Sequence, residues 1–336
     1  MAKRSLIEQL DNAIEHLLAN APVPTVDAEI QSLLRIAADL RGLPRPDFKN
    51  LLQARLQETS MNTVQEAVST SADTGLRQAS SNIREGFRIV TPYVIVPDAP
   101  ALVDFMTQAF GATETYRAIG TAGGFHCEAR VGDSMLMIGG GGQGVSWQGK
   151  PFPTSLHIYV PDADAVYEKA LAAGATSIKK PVDQPYGDRE AGIKDIGGNY
   201  WWISTHKHGS YIPAGLNTVT PYLHPRGADA LIRFLKDAFG AEELSRHASS
   251  DGVVHHATIR IGESALEMGE AHGPWQPMPT MFYMYVGDVD AAYRRALQAG
   301  ATSLEQPKNQ PYGDRRAGAT DPFRNLWFFA APAKSR

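Results

Sequence analysis

Two imidazoles stand at matching places in this chain, His126 in HCEARVGDSMLMIG and His256 in HATIRIGESALEMG. Each has a carboxylate near it in sequence, Glu128 after the first and Glu267 after the second, and a further imidazole, His157, sits in SLHIYVPD. An imidazole beside a carboxylate can take or deliver a proton near neutral pH, and several such groups converging can hold a divalent cation. Plainer roles compete with each of these. A strand histidine often only packs or hydrogen bonds, Glu128 could pair with Arg130, and Glu267 could be a lone ligand-binding carboxylate. Cys127 is the one cysteine, so an intrachain disulfide and a cysteine-based zinc site are both excluded. The sequence shows no Ser-His-Asp arrangement, phosphate-binding Gly loop or dinucleotide fingerprint, and GGGGQG at 139–144 reads as a flexible loop.

The elements that must position these groups are repeated. VTPYVIVPDAPALVDFMTQAFGA at 90–112 returns as VTPYLHPRGADALIRFLKDAFGA at 219–241, and AAGATS with QPYGDR at 172–189 returns as QAGATS with QPYGDR at 298–315. Three blocks in one order mean a duplicated domain. Within each copy, strand TPYVIVPD and its helix resemble strand SLHIYVPD and its helix, each followed by three strand-like runs. The fold class is therefore α+β, with four βαβββ modules. One sheet face of each lies under its helix and the other is bare, so modules must pair to enclose a core or a cleft.

Strand alternation assigns the bare faces. Leu156, Ile158 and Val160 suit the helix side, leaving Ser155, His157 and Tyr159 to a cleft; Cys127, Ala129 and Val131 likewise leave His126, Glu128 and Arg130. Tyr93, Trp202 and Ser204 share the inward sense. The first repeat's cleft is thus expected to combine Tyr93, His126, Glu128, Arg130, His157, Tyr159 and Trp202. The second is expected to combine Tyr222, His224, His256, Thr258, Arg260, Glu267, Tyr283, Tyr285 and Phe328. Aromatic walls with a few charged groups suit a small-molecule ligand. Tyr-Gly-Asp-Arg at 186–189 and 312–315 could close the pocket, or its Gly could set a turn while Asp and Arg pair structurally.

Paired modules opening on VTPYVIVPD and closing on QPYGDREAGIKDIGGNYWWISTH resemble the vicinal oxygen chelate superfamily of glyoxalases, bleomycin-resistance proteins and extradiol dioxygenases. The resemblance runs from about residue 88 to 332 and implies two glyoxalase-like domains. It also implies a divalent metal held from the first and last strand of each module. Carried onto this sequence, those positions are Thr91, Met137, Ser155 and Trp202, then Thr220, Glu267, Met281 and Phe328. Only Glu267 is a good ligand, so no metal residue is assigned. The expectation is a protein that binds a small molecule without the family's usual metal. The alternatives are a lyase, isomerase or dioxygenase with an altered ligand set such as His126, Glu128 and His157, or a structural or regulatory protein acting through its N-terminal helices.

Residues 1–58 read as that all-α segment, with helices broken at Pro22/Pro24 and Pro44/Pro45, and 59–86 as a polar linker. The glyoxalase-like domains are placed at 87–210 and 216–333. With 43% apolar and 20% charged residues, a formal charge of −4 and no basic run, neither nucleic acid nor a membrane is an expected partner. The expected location is cytoplasmic, and the helices are expected to pack on the chain's own body or in a homodimer.

Overall fold

The computed structural model describes residues 83–273 and 275–333, with Asn12, Ala13, His16 and Val26. The expected N-terminal helices and most of the linker lie outside the described residues. The chain divides into compact units at 1–70 and 71–336, and the second carries four βαβββ modules.

Module 1 is β1 (Val90–Asp98), α1 (Ala99–Phe110), β2 (Thr113–Ile119), β3 (Phe125–Val131) and β4 (Ser134–Gly141). Module 2 is β5 (Ser155–Tyr159), α2 (Ala163–Ala172), β6 (Thr176–Asp183), β7 (Asp188–Lys194) and β8 (Tyr200–His206). Module 3 is β9 (Val219–Leu223), α3 (Ala228–Phe239), β10 (Glu242–Ala248), β11 (Val254–Ile261) and β12 (Ser264–Met268). Module 4 is β13 (Met281–Tyr285), α4 (Val289–Gln298), β14 (Thr302–Asn309), β15 (Asp314–Thr320) and β16 (Leu326–Pro332).

Helix starts follow from local chemistry. Asp98, Asp162 and Asp288 accept from the backbone N–H three residues on, capping α1, α2 and α4. The α3 N-cap is Gly227, which has no side chain to offer. There the Glu270 carboxylate accepts from the N–H groups of Gly227 and Ala228, both at 2.7 Å.

The helix-covered faces and the bare faces are partnered differently. Val94, Leu102, Cys127 and Ile138 of the first repeat share one core with Leu156, Tyr167, Ile193 and Trp201. Leu223, Leu231, Ile259 and Leu266 share the other with Phe282, Tyr293, Trp327 and Phe329. Each core therefore lies largely within one repeat. The sheets instead run across repeats: one has the order β14-β15-β16-β13-β1-β4-β3-β2, the other β10-β11-β12-β9-β5-β8-β7-β6. Antiparallel pairs Thr91↔Tyr283 and His157↔Thr220 make the joins. This corrects the expectation of one cleft per repeat: the first cleft joins modules 1 and 4, and the second joins modules 2 and 3.

The glycine run is also corrected. Gly139, Gly140 and Gly141 end β4 rather than forming a loop, because the Val96 carbonyl lies where a Cβ on Gly140 would go. Gly139 likewise leaves room for the Tyr93 ring, 2.8 Å from where its Cβ would sit, as Gly269 does for the Tyr222 hydroxyl at 3.1 Å.

Two buried aspartates brace the last strands beneath the clefts. Asp195 accepts from the N–H of Gly197 (2.8 Å), the N–H of Asn199 (2.9 Å) and Trp201 Nε1 (2.8 Å). Asp321 does the same for Phe323, Asn325 and Trp327. Asn199 and Asn325 in turn accept from Thr154 and Thr280, whose hydroxyls meet at 2.7 Å across the repeats. Asp195→Ala strands several buried donors and is expected to cost about 3 kcal/mol or more in urea unfolding; a loss below about 1 kcal/mol would contradict this bracing role.

Candidate functional site

In the second cleft, alternation on β5, β8, β9, β11 and β12 turns His157, Ser204, Tyr222, His256 and Glu267 to the concave side, opposite core residues such as Ile158, Ile203 and Leu266. Glu267, 2% exposed, sits between two imidazoles: His157 Nδ1 is 2.9 Å from one oxygen and His256 Nε2 is 3.2 Å from the other. His157 Nε2 lies 2.7 Å from Ser204 Oγ. Burial pushes the Glu267 carboxyl up, but the charge and hydrogen bond of His157, helped by His256, hold it well below the usual carboxylate range. Burial likewise opposes the charge on His157, and the Glu267 carboxylate overturns that, raising its pKa. The carboxylate thus favours a proton on the facing His157 Nδ1, while Nε2 is spent on the Ser204 hydroxyl.

Ser204, His157 and Glu267 form the chain of atoms expected of a nucleophile, its base and an orienting acid, a juxtaposition the sequence did not disclose. Ser204 is fully buried, and its hydroxyl fixes the His157 ring. Tyr159 packs on that ring with centroids 4.2 Å apart. Trp275 closes the same cleft, standing edge-on to Trp202 (4.9 Å) and parallel to His224 (6.2 Å, 18°). It comes from the β12–β13 connection and escaped the sequence reading because loop residues carry no alternation. His224 is 6% exposed, and its Nε2 has no partner among the described residues.

The first cleft uses the same plan with different groups. Tyr93 stacks on His126 (5.5 Å, 12°), with its hydroxyl 2.9 Å from Nδ1, and His126 Nε2 is 3.1 Å from Glu128. Glu128, however, is held bidentately by Arg84 at 2.6 and 2.8 Å, not by Arg130. Burial raises the Glu128 pKa, and the hydrogen bonds of His126 and Arg84 bring it net below the ordinary range. Where the second cleft has His157, Trp202 and Glu190, this one has Tyr283, Phe328 and Arg316, whose guanidinium lies 4.8 Å over Phe328. Tyr283 donates to Asp314 at 2.8 Å, while the Tyr285 hydroxyl is buried and unpartnered.

The expected site residues thus divide between two sheets. His157, Tyr159, Trp202, Tyr222, His224, His256 and Glu267 share one cleft; Tyr93, His126, Glu128, Tyr283 and Tyr285 share the other. Arg130 and Arg260 are exposed, and Arg260 pairs with Glu242. On β5 the residue that meets Glu267 is His157, two residues beyond the expected Ser155. The Tyr-Gly-Asp-Arg motif takes the structural role considered for it, with Gly187 and Gly313 at positive φ setting the turns. Arg189 and Arg315 pair with Asp164 and Asp290 on α2 and α4, while Asp188 holds His206 at 2.7 Å and Tyr186 donates to Glu190 at 2.9 Å. A separate cavity of about 20 Å³, lined by Arg88, Ser134, Asn217 and Ser264, is water-sized and holds none of these imidazoles or cleft carboxylates.

Residues 88–203 and 223–329 match the Glyoxalase/Bleomycin resistance protein/Dioxygenase superfamily. The chain belongs to this superfamily. An uncharacterised protein of Mycobacterium bovis is 32% identical over 127 residues, spanning 34% of this chain and 84% of that protein. One from Mycobacterium tuberculosis shows the same identity over 75% of its length. Glyoxalase I from Zea mays shares the fold, with a TM-score of 0.54 at 14% identity over 72% of this chain and 92% of the maize chain.

The superfamily's divalent metal finds a poor donor set here. At the positions facing it, the second cleft offers His157 and Glu267 but also Thr220 and Trp202; the first offers Thr91, Met137, Tyr283 and Phe328. Among the described residues no group of three or more His, Cys, Asp or Glu is arranged to hold a metal ion. His126 and Glu128 lie in a different sheet from His157, so the altered set His126, Glu128 and His157 is not assembled. No helix among the described residues is long and apolar enough to cross a membrane.

Burial, and then the nearby His272, push the His224 pKa down to about 4 from 6.5. Between these values the unfolded chain binds a proton that the folded chain refuses. The contribution of neutral His224 is complete above pH 6.5 and is lost as pH falls towards 4, to a total of about 3 kcal/mol. His224→Phe should therefore flatten the fall of urea-unfolding stability between pH 6.5 and 4; an unchanged slope would contradict the assignment.

Proposed function

We propose that the chain binds a small, partly aromatic molecule in the second cleft, without the four-ligand metal of its superfamily. The observation that carries this reading is the unpartnered His224 Nε2, buried between Tyr222 and Trp275. A buried polar atom without a partner is costly, and a ligand that hydrogen bonds to it removes that cost. Trp202, Tyr222 and Trp275 supply flat apolar walls, and the His157–Glu267 pair fixes charge at the floor.

The non-ligating Thr220 and Trp202 support a metal-independent mode. Elemental analysis of purified protein is expected to find divalent metal well below stoichiometric; one tightly bound equivalent per chain would overturn it. A thermal-shift screen of planar aromatic metabolites and drugs should yield compounds that raise the melting temperature of the native protein, and His224→Phe should abolish that rise. Rises that survive His224→Phe unchanged would place binding elsewhere.

One observation favours a second reading, a metal-dependent lyase, isomerase or dioxygenase. His157 and His256 both hydrogen bond to Glu267, and these three groups, which form no metal-holding arrangement as they stand, would have to exchange those bonds for an ion. On that reading, His157→Ala or His256→Ala removes a bound metal together with turnover. Unchanged metal content in these variants would dismiss it.

A further inference from the structure

The first cleft holds a cation already, supplied by its own chain. Arg84 reaches from the turn before β1 and places two guanidinium nitrogens on the two oxygens of Glu128, at 2.6 and 2.8 Å. Parallel N–H···O bonds of this kind are the strong, shape-selective way to hold a guanidinium. The carboxylate is 2% exposed, whereas the Arg84 side chain is 50% exposed, so the bound cation enters from solvent and stops at a buried anion. Phe87 lies against the guanidinium at 4.7 Å and stands edge-on to Tyr285 at 6.1 Å. The Tyr285 hydroxyl is buried beside Arg84 and makes no hydrogen bond of good geometry among the described residues.

The internal repeat supplies the control. Ile83-Arg84-Glu85-Gly86-Phe87 corresponds to Ile212-Pro213-Ala214-Gly215-Leu216, and both turns pass through a glycine of positive φ, 82° at Gly86 and 86° at Gly215. Both close the same hydrogen bond, Phe87 N–H to the Arg84 carbonyl (3.0 Å) and Leu216 N–H to the Pro213 carbonyl (3.2 Å). With the backbone shared, the side chains differ together: Arg84 becomes Pro213, and its partner Glu128 becomes Thr258. The second cleft thus lacks both halves of the ion pair. Its carboxylate stands instead on the neighbouring strand as Glu267, the cross-strand partner of Thr258, just as Met137 is that of Glu128.

We propose that the first cleft is a guanidinium-binding site that the chain fills in cis with Arg84. Its external ligand class is a small monosubstituted guanidinium or amidinium compound, whose planar head would meet Glu128 and Tyr285 against Phe87 and Tyr93. This is independent of what the second cleft takes.

The test is thermal unfolding with ethylguanidinium chloride at low millimolar concentration, far below denaturing levels. Arg84→Ala is expected to melt lower than the parent protein and to regain about 3 °C, saturably, on adding ethylguanidinium. The parent, whose site is filled, and the double variant Arg84→Ala/Glu128→Gln should show no rise. Arg84→Gln, which keeps part of the stem, takes the same titration if Arg84→Ala does not fold. No rise in either single variant, or an equal rise in the parent, would overturn the proposal.

Discussion

Antiparallel pairing of β1 with β13 and of β5 with β9 is the constraint on which the rest of the structure depends. Each βαβββ module buries one sheet face under helices, and those buried faces close largely within a repeat. The first strands nevertheless pair across repeats, so every concave surface is lined by one module from each copy. His157 and Glu267, 110 residues apart, touch for this reason. A duplicated chain arranged in this way has two related clefts whose walls can diverge separately.

They have diverged by moving charge over short distances. His126 and His256 keep the same place and each meets a carboxylate, yet the carboxylate lies on β3 in one cleft and on β12 in the other, at positions facing each other across the ladder. Lys179 paired with Glu190 is answered by Glu305 paired with Arg316, the same bridge with its charges exchanged. Tyr283 and Phe328 replace His157 and Trp202. The result is one cleft built around a buried histidine–carboxylate pair and one built around a carboxylate that binds an arginine. The superfamily's metal positions are lost in both by different substitutions.

The duplication, the four modules and the inward residues were legible because period-two alternation and near-verbatim repeats are local properties of the chain. Leu156, Ile158 and Val160 alternate against Ser155, His157 and Tyr159 as expected. Which modules share a cleft was not legible, since strand order is set by packing between distant segments; hence Tyr93 and His157 were grouped although they lie in separate sheets. Arg84 and Trp275 were missed for a related reason: each lies outside the strands, and its role exists only once Glu128 or Trp202 is in place. Ser204 was seen as inward-facing, but its bond to His157 depends on parallel pairing of β5 with β8.

The central claim is that residues of different repeats are bound into one cleft, and a double-mutant cycle between His157 and Glu267 tests it most directly. Stabilities of the parent, His157→Gln, Glu267→Gln and the double variant, measured by urea unfolding at neutral pH, give the coupling between the two side chains. The structure predicts about 2 kcal/mol of favourable coupling, as expected for a buried, hydrogen-bonded histidine–carboxylate pair. Additivity within about 0.3 kcal/mol would mean that the two side chains do not meet, and would contradict the pairing of module 2 with module 3.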